Sequence, residues 1–181
     1  MYNRIVIQIL LQLDNKLFTL INHLPHNLFL DWFFGFITAA GSWGIVWFLI
    51  GIAVFFLEKK KNAKILLILI LATMLAYFAG EIGIKNLVRR ARPQFNIAEA
   101  VLPFDSADSF SFPSGHTTIA FAAAYIFSRK HKKKAWIYYL LAAVIAFSRV
   151  YLGRHYPGDV IGGIILGLSV GYLSLKIGDN F

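Results

Sequence analysis

Long apolar runs separated by short lysine-rich breaks constrain this chain more than any other feature. "SWGIVWFLIGIAVFFL" ends at "EKKKNAK", and "SGHTTIAFAAAYIFS" ends at "RKHKKKA". A helix that crosses a bilayer needs ~20 mainly apolar residues, and in lipid only helices and closed barrels satisfy their own backbone groups. Of the 181 residues, 58% are hydrophobic and 15% charged; a soluble domain carries about a quarter charged. The chain therefore reads as an all-α integral membrane helical bundle, a single membrane-embedded domain over residues 1–181. Five transmembrane helices are expected: about 42–57, with a start as early as Asp31 as a variant, then 63–84, 114–128, 135–151 and 159–177. The third is short for a span. The N-terminal segment 5–24 is interrupted by Gln8, Gln12, Asp14, Asn15 and Lys16. It reads as an amphipathic helix lying in the interface, with a sixth span as the alternative. The break "GSWG" at 41–44 then brackets a re-entrant or tilted piece. No internal repeat points to an inverted-repeat transporter.

The net charge of +9 would indicate nucleic acid in a soluble protein. Here Lys59, Lys60, Lys61 and Lys64 form one cluster, and Arg129, Lys130, Lys132, Lys133 and Lys134 another, both in short linkers. They read as cytoplasmic loops under the positive-inside rule, with acidic lipid headgroups as secondary contacts. No nucleic-acid partner is expected. With both clusters inside, segments 85–113 and 148–159 share the opposite surface, periplasmic or exterior. Both carry arginines there, against the trend, so these charges serve something other than orientation. The absence of cysteine excludes disulfides and thiolate metal sites. The first apolar region lacks a signal-peptide cleavage site.

Three stretches on that surface carry chemistry: "KNLVRRARP" (85–93), "FPSGH" (112–116) and "SRVYLGRHYPGD" (148–159). Arginine presents a planar fork of donors that suits phosphate oxygens, and Lys85, Arg92 and Arg149 all sit at outer ends of spans. Ser114 is a good N-cap and Gly115 leaves the backbone approachable; a helix N-terminus with free N–H groups receives anions. His116 falls on that helix's first turn. His155 and Asp159 are four apart, so a helix starting near Pro157 lets Asp159 reach back to His155. A carboxylate on one imidazole nitrogen fixes the tautomer and leaves the other nitrogen as a nucleophile. The sum is an anion pocket suited to phosphoryl transfer without a metal. A facial triad of two histidines and a carboxylate is disfavoured by the surrounding cations.

The order and spacing K-x6-RP, PSGH and SR-x5-H-x3-D resemble the signature of the type-2 phosphatidic acid phosphatase superfamily, over roughly residues 63–171. Each part alone would be weak; together they are specific. The resemblance implies that His155 is the nucleophile forming a phosphohistidine and that Asp159 orients it. His116 is implied as the general acid and then the base. Lys85, Arg92 and Arg149, with Ser114 and the Gly115 backbone, are implied as the phosphate clamp. No cofactor and no metal is implied. Arg90 resembles an extra arginine of "RxRP" forms and is a further candidate for substrate contact. The superfamily also contains vanadate-dependent haloperoxidases, which are larger and soluble in character. The implied reaction is hydrolysis of a membrane lipid phosphate or diphosphate in a prokaryotic inner or plasma membrane. Undecaprenyl diphosphate is the leading substrate, with phosphatidylglycerol phosphate, phosphatidic acid and lipid A phosphate as alternatives. A lipid phosphotransferase shares the same residues, and a non-catalytic lipid-binding or transport protein is the reading from another class.

Several residues outside the signature carry expectations of their own. Glu81 lies one turn before Lys85 and is expected to hold it by an i,i+4 ion pair. His23, His26 and His131 read as interfacial, and Arg89 and Arg154 mainly as headgroup anchors. The tryptophans mark interfaces or packing, and the glycines of the last span permit close helix packing. Segment 94–111 is expected to cover the site, with Glu99, Asp105 and Asp108 repelling wrong headgroups.

Overall fold

The computed structural model describes residues 2–57, 63–104 and 109–178, and all regular elements among them are helices. In chain order these are α1 (Tyr2–Asn22), α2 (Leu28–Gly41), α3 (Ile45–Leu57), α4 (Lys64–Ala76), α5 (Lys85–Val88), α6 (Pro93–Asn96), α7 (Gly115–Lys130), α8 (Ala135–Tyr151) and α9 (Pro157–Gly178). A wide-turned π stretch, Tyr77–Ile84, joins α4 to α5. Lys59, Lys60, Lys61, Asp105 and Asp108 lie outside the described residues, and with them the expectations placed on those side chains.

Helix α7 is the hub, packed against α4, α8 and α9. Its alanines 120 and 122–124 are buried, together with Ile126 and Phe127. Around it Trp47, Leu69, Ala72, Ala142 and Ile145 complete the core. Against α7, α9 presents a stripe of glycines. A Cβ on Gly163, Gly167 or Gly171 would come within 2.8, 2.4 and 2.7 Å of the carbonyl oxygens of Ser114, Thr118 and Ala122. The contact advances four residues on both helices at each step, so backbone lies on backbone, the close packing the glycine spacing leads one to expect.

Among the described residues, four stretches are long and apolar enough to cross a membrane: Ile5–Asn22, Leu28–Leu57, Lys64–Asn96 and Pro157–Gly178. Two places need comment. Helices α7 and α8 have 16 and 17 residues, about 25 Å at ~1.5 Å per residue, short of a ~30 Å hydrocarbon core. Much of α7 faces protein, so small residues replace the long apolar ones that lipid would demand. The other place is α1, which forms one unbroken helix despite its polar residues. Its Asn22 donates to the carbonyls of Val101 (2.9 Å) and Tyr151 (2.8 Å), and its Asp14 accepts from the Gly158 amide (2.7 Å).

The "GSWG" break is a kink between α2 and α3. Trp43 (φ 53°) and Gly44 (φ 77°) both take left-handed backbone there, a conformation that costs a non-glycine residue about 1–2 kcal/mol. His26 has partners within the protein. It stacks on Tyr151 at 4.3 Å, pairs with Asp31 at 2.6 Å and reaches the Asn22 carbonyl at 2.8 Å, fixing the α1–α2 corner onto α8.

Candidate active site

Helices α4, α7, α8 and α9 alternate in direction along the chain, with α7 parallel to α9, and this gathers the three signature stretches at one end of the bundle. Lys85, Arg92, Gly115, His116, Arg149 and His155 line a common cavity of about 260 Å³. Lys64, Arg129, Lys130 and Lys176 line a separate groove, which shares no residue with it.

The spacing between Arg149 and His155 follows from a turn. After α8 ends at Tyr151, Gly153 (φ 71°) reverses the chain, and the amides of Arg154 (2.9 Å) and His155 (3.2 Å) fold back onto the Arg149 carbonyl. A side chain at Gly153 would also meet the Val101 carbonyl at 2.6 Å. The spacing to Asp159 follows from helix capping. Pro157 starts α9, and the Asp159 carboxylate accepts the Tyr156 amide at 2.9 Å, a reach-back of the capping-box kind.

His155 is 2% exposed and Asp159 fully buried. Nδ1 of His155 faces Asp159 Oδ2 at 3.6 Å and Ser111 Oγ at 3.4 Å. Ser111 donates to that same Oδ2 at 2.5 Å, so its oxygen is free to accept from Nδ1–H. On the other side Arg92 Nη1 lies 3.4 Å from Nε2. Arginine can only donate, so Nε2 is assigned as the lone-pair nitrogen, facing the cationic cavity. The aspartate thus acts on the imidazole together with Ser111, which no motif had marked.

Burial pushes the His155 imidazole down to about 3, against the pull of Asp159 and with help from Arg149 and Arg92. The ring is therefore neutral in the folded protein. An unfolded chain takes up a proton on this histidine near its ordinary value of 6.5, so stability is lost as pH falls below that value and toward 3. A His155→Gln variant lacks this linkage. The melting temperature of the parent, minus that of the variant, should fall between about pH 7.5 and pH 5 in detergent; a constant difference would contradict a buried neutral ring.

The cations are held in three ways. Lys85 is paired with Glu81 at 2.8 Å, as the i,i+4 spacing implies. Arg92 donates to Ser109 O (2.7 Å), Ser109 Oγ (2.9 Å) and Arg154 O (2.8 Å). Arg149 gives Nη1 to Thr38 Oγ1 at 3.0 Å, while its buried Nε has no hydrogen-bond partner among the described residues, an orphan donor beside the cavity. Gly115 has a steric reason as well, since a Cβ there would meet Glu81 Oε1 at 2.5 Å. Ser114 occupies the N-cap position of α7 but makes no capping bond with its side chain; its hydroxyl instead accepts from Thr117 at 3.0 Å. His116 Nε2 bonds Ser42 Oγ at 3.0 Å, at the kink after α2. Ser42, Thr38, Ser109 and Ser111 come from segments without a recognisable motif, and only the tertiary fold brings them in.

Arg90 is not among the residues lining the cavity. Its guanidinium is held by Asp159 and Asp14 (2.7 and 2.5 Å) and lies 3.9 Å from the Tyr156 ring centre. Arg89 takes left-handed backbone (φ 50°) and bonds the Asn86 carbonyl. Among the described residues no three His, Asp or Glu side chains form a metal-binding group.

The family model of the PAP2 superfamily matches residues 65–181. A lipid A 4'-phosphatase of Porphyromonas gingivalis is 31% identical over 93% of this chain and 74% of its own length. An undecaprenyl-diphosphatase of Sulfolobus acidocaldarius is 33% identical over 65% of this chain; the match spans 57% of that relative. Among solved structures, that of Aquifex aeolicus LpxE superposes with a TM-score of 0.72 and 35% identity, covering 89% of this chain and 93% of that one. The matched region contains all three signature stretches, set at one end of a helical bundle with membrane-spanning helices. The chain belongs to the PAP2 superfamily, among its membrane lipid phosphatases.

Proposed function

We propose that the chain hydrolyses a lipid phosphate or diphosphate at the outer membrane surface, without a metal, through a phosphohistidine on His155. The observation that carries this is the polarity of the His155 ring: a carboxylate 3.6 Å behind Nδ1, the donor Arg92 3.4 Å from Nε2, and the cationic cavity in front. The Nε2 lone pair attacks phosphorus, and the bond from phosphorus to the leaving oxygen breaks as His116 supplies that oxygen with a proton. Water then attacks phosphorus, gives a proton to His116, and the P–N bond breaks to release inorganic phosphate. Lys85, Arg92 and Arg149 hold the equatorial oxygens, where fixed donors contribute most to lowering the barrier. The orphan Nε of Arg149 fits this role. Trp43, Ala76, Tyr77 and Ile119 form the apolar side of the same cavity, a surface suited to the first carbons of a lipid whose tail stays in the bilayer.

Within this class undecaprenyl diphosphate is the first substrate to test, in line with the activity carried in the name of one relative; the name of another makes a lipid A phosphate the rival. The deciding measurement is phosphate release from undecaprenyl diphosphate, phosphatidylglycerol phosphate, phosphatidic acid and a lipid A in detergent. Chelator should leave turnover unchanged, and vanadate should inhibit as a mimic of five-coordinate phosphorus. Loss of activity in chelator that a divalent ion restores would overturn the mechanism. The ranking of lipids assigns the substrate.

A further inference from the structure

The N-terminal helix places a carboxylate against the catalytic end of the bundle. Asp14 Oδ1 accepts the Gly158 amide at 2.7 Å, in the first turn of α9. Asp14 Oδ2 accepts from Arg90 Nη2 at 2.5 Å. The other terminal nitrogen of the same guanidinium, Nη1, donates to Asp159 Oδ1 at 2.7 Å. Asp14 and Arg90 are 13% and 20% exposed, and Asp159 not at all. Space at this junction is tight, since a Cβ on Gly158 would lie 2.8 Å from Asp14 Oδ2. Asp14 falls outside the matched region 65–181, so the motifs give no reason for its presence.

We infer that Asp14 and Arg90 are positioning residues for the reaction: Asp14 holds the Arg90 fork, and the fork holds Asp159 in the orientation that sets the His155 ring. The inference rests on the reading of His155 as nucleophile. Each oxygen of Asp159 has its own task. Oδ1 is occupied by Arg90, which leaves Oδ2 for Ser111, the Tyr156 amide and the imidazole. Without Arg90 the buried carboxylate would lose a compensating charge and could rotate away from the ring. Without the Asp14 charge, the fork is held on one side only. A lysine cannot replace the arginine, because a single ammonium does not present two separate nitrogens to two carboxylates.

The test measures kcat and KM on dioctanoyl phosphatidic acid in detergent micelles for Asp14→Asn, Arg90→Lys, the double variant and His155→Ala. Asparagine retains an oxygen for the Gly158 amide, so a mere capping role predicts parent-like turnover for Asp14→Asn. The positioning role predicts that each single variant loses about ten- to hundredfold in kcat, as a misplacement of about 1 Å does. KM should stay within about twofold. Because both act through one contact, the double variant should be no slower than the worse single. Parent-like kcat in Asp14→Asn, a loss carried by KM, or losses that multiply in the double variant would each overturn the inference. If Asp14→Asn does not assemble, Arg90→Lys decides alone, and parent-like kcat there also overturns it. Turnover by His155→Ala would remove the underlying reaction scheme and the inference with it, whereas a dead His155→Ala beside a parent-like Asp14→Asn removes the inference alone.

Discussion

Replacing His155 by alanine should abolish phosphate release while leaving the helices assembled. The expected fall is of the order of 10⁶-fold, the scale seen when a nucleophile acting within a catalytic unit is deleted. Assembly should survive because the neighbours keep other partners. Arg92 retains Ser109 and the Arg154 carbonyl, and Asp159 retains Arg90, Ser111 and the Tyr156 amide. The variant should therefore elute in detergent as the parent does and still bind the lipid, but yield no acid-labile phosphoenzyme when a labelled substrate is quenched. Residual turnover above about a hundredth of the parent would assign the attack to another group, since the clamp alone leaves only ~10³–10⁴-fold over water. A protein that merely binds lipid would keep its affinity in this variant and show no turnover in the parent either.

The second large effect concerns His116, and its size should depend on the substrate. General acid–base help contributes roughly 10²–10⁴-fold, and it matters most where the departing oxygen is a poor leaving group. His116→Gln should therefore lose most on an alkyl phosphate monoester such as phosphatidic acid. It should lose much less on an aryl phosphate, whose departing phenolate needs little protonation. Glutamine preserves a polar group for Ser42, the imidazole's partner at 3.0 Å, so the comparison isolates the proton. Equal losses on both substrates would place His116 in binding rather than in proton transfer.

The gathering of the signature residues was legible because much of their geometry is written into local spacing. Asp159 lies four positions after His155 because of a helix start, and a glycine reversal folds His155 back onto Arg149. Lys85 and Glu81 meet because one helical turn separates them. Local spacing could not reveal Ser111, Ser42, Thr38 or Asp14, which reach the site only through packing of segments far apart in sequence. Arg90 shows the limit most clearly. Its position in the motif made it a candidate for substrate contact, yet the structure engages its guanidinium with two carboxylates, one of them from α1. The same carboxylate is among the residues that made α1 ambiguous: a polar interruption in an apolar run has one meaning facing lipid and another facing a guanidinium. Helix α7 is short for a span, as its sequence indicated, and it can carry small residues because much of it faces protein rather than lipid.

The glycine stripe of α9 determines more than closeness. Ser114 and His116 ride on α7 and Asp159 rides on α9, so the reacting groups keep their alignment only if the two helices keep their relative height. The carbonyls of Ser114, Thr118 and Ala122 sit opposite Gly163, Gly167 and Gly171 with no room for a Cβ, so the height of one backbone on the other is set by direct contact. The smallest slip, one residue, is ~1.5 Å, beyond the ~1 Å at which misplaced groups already lose about a hundredfold. Alignment at the candidate site thus depends on a seam of absent side chains that runs down to Gly171, about three turns of helix from Asp159.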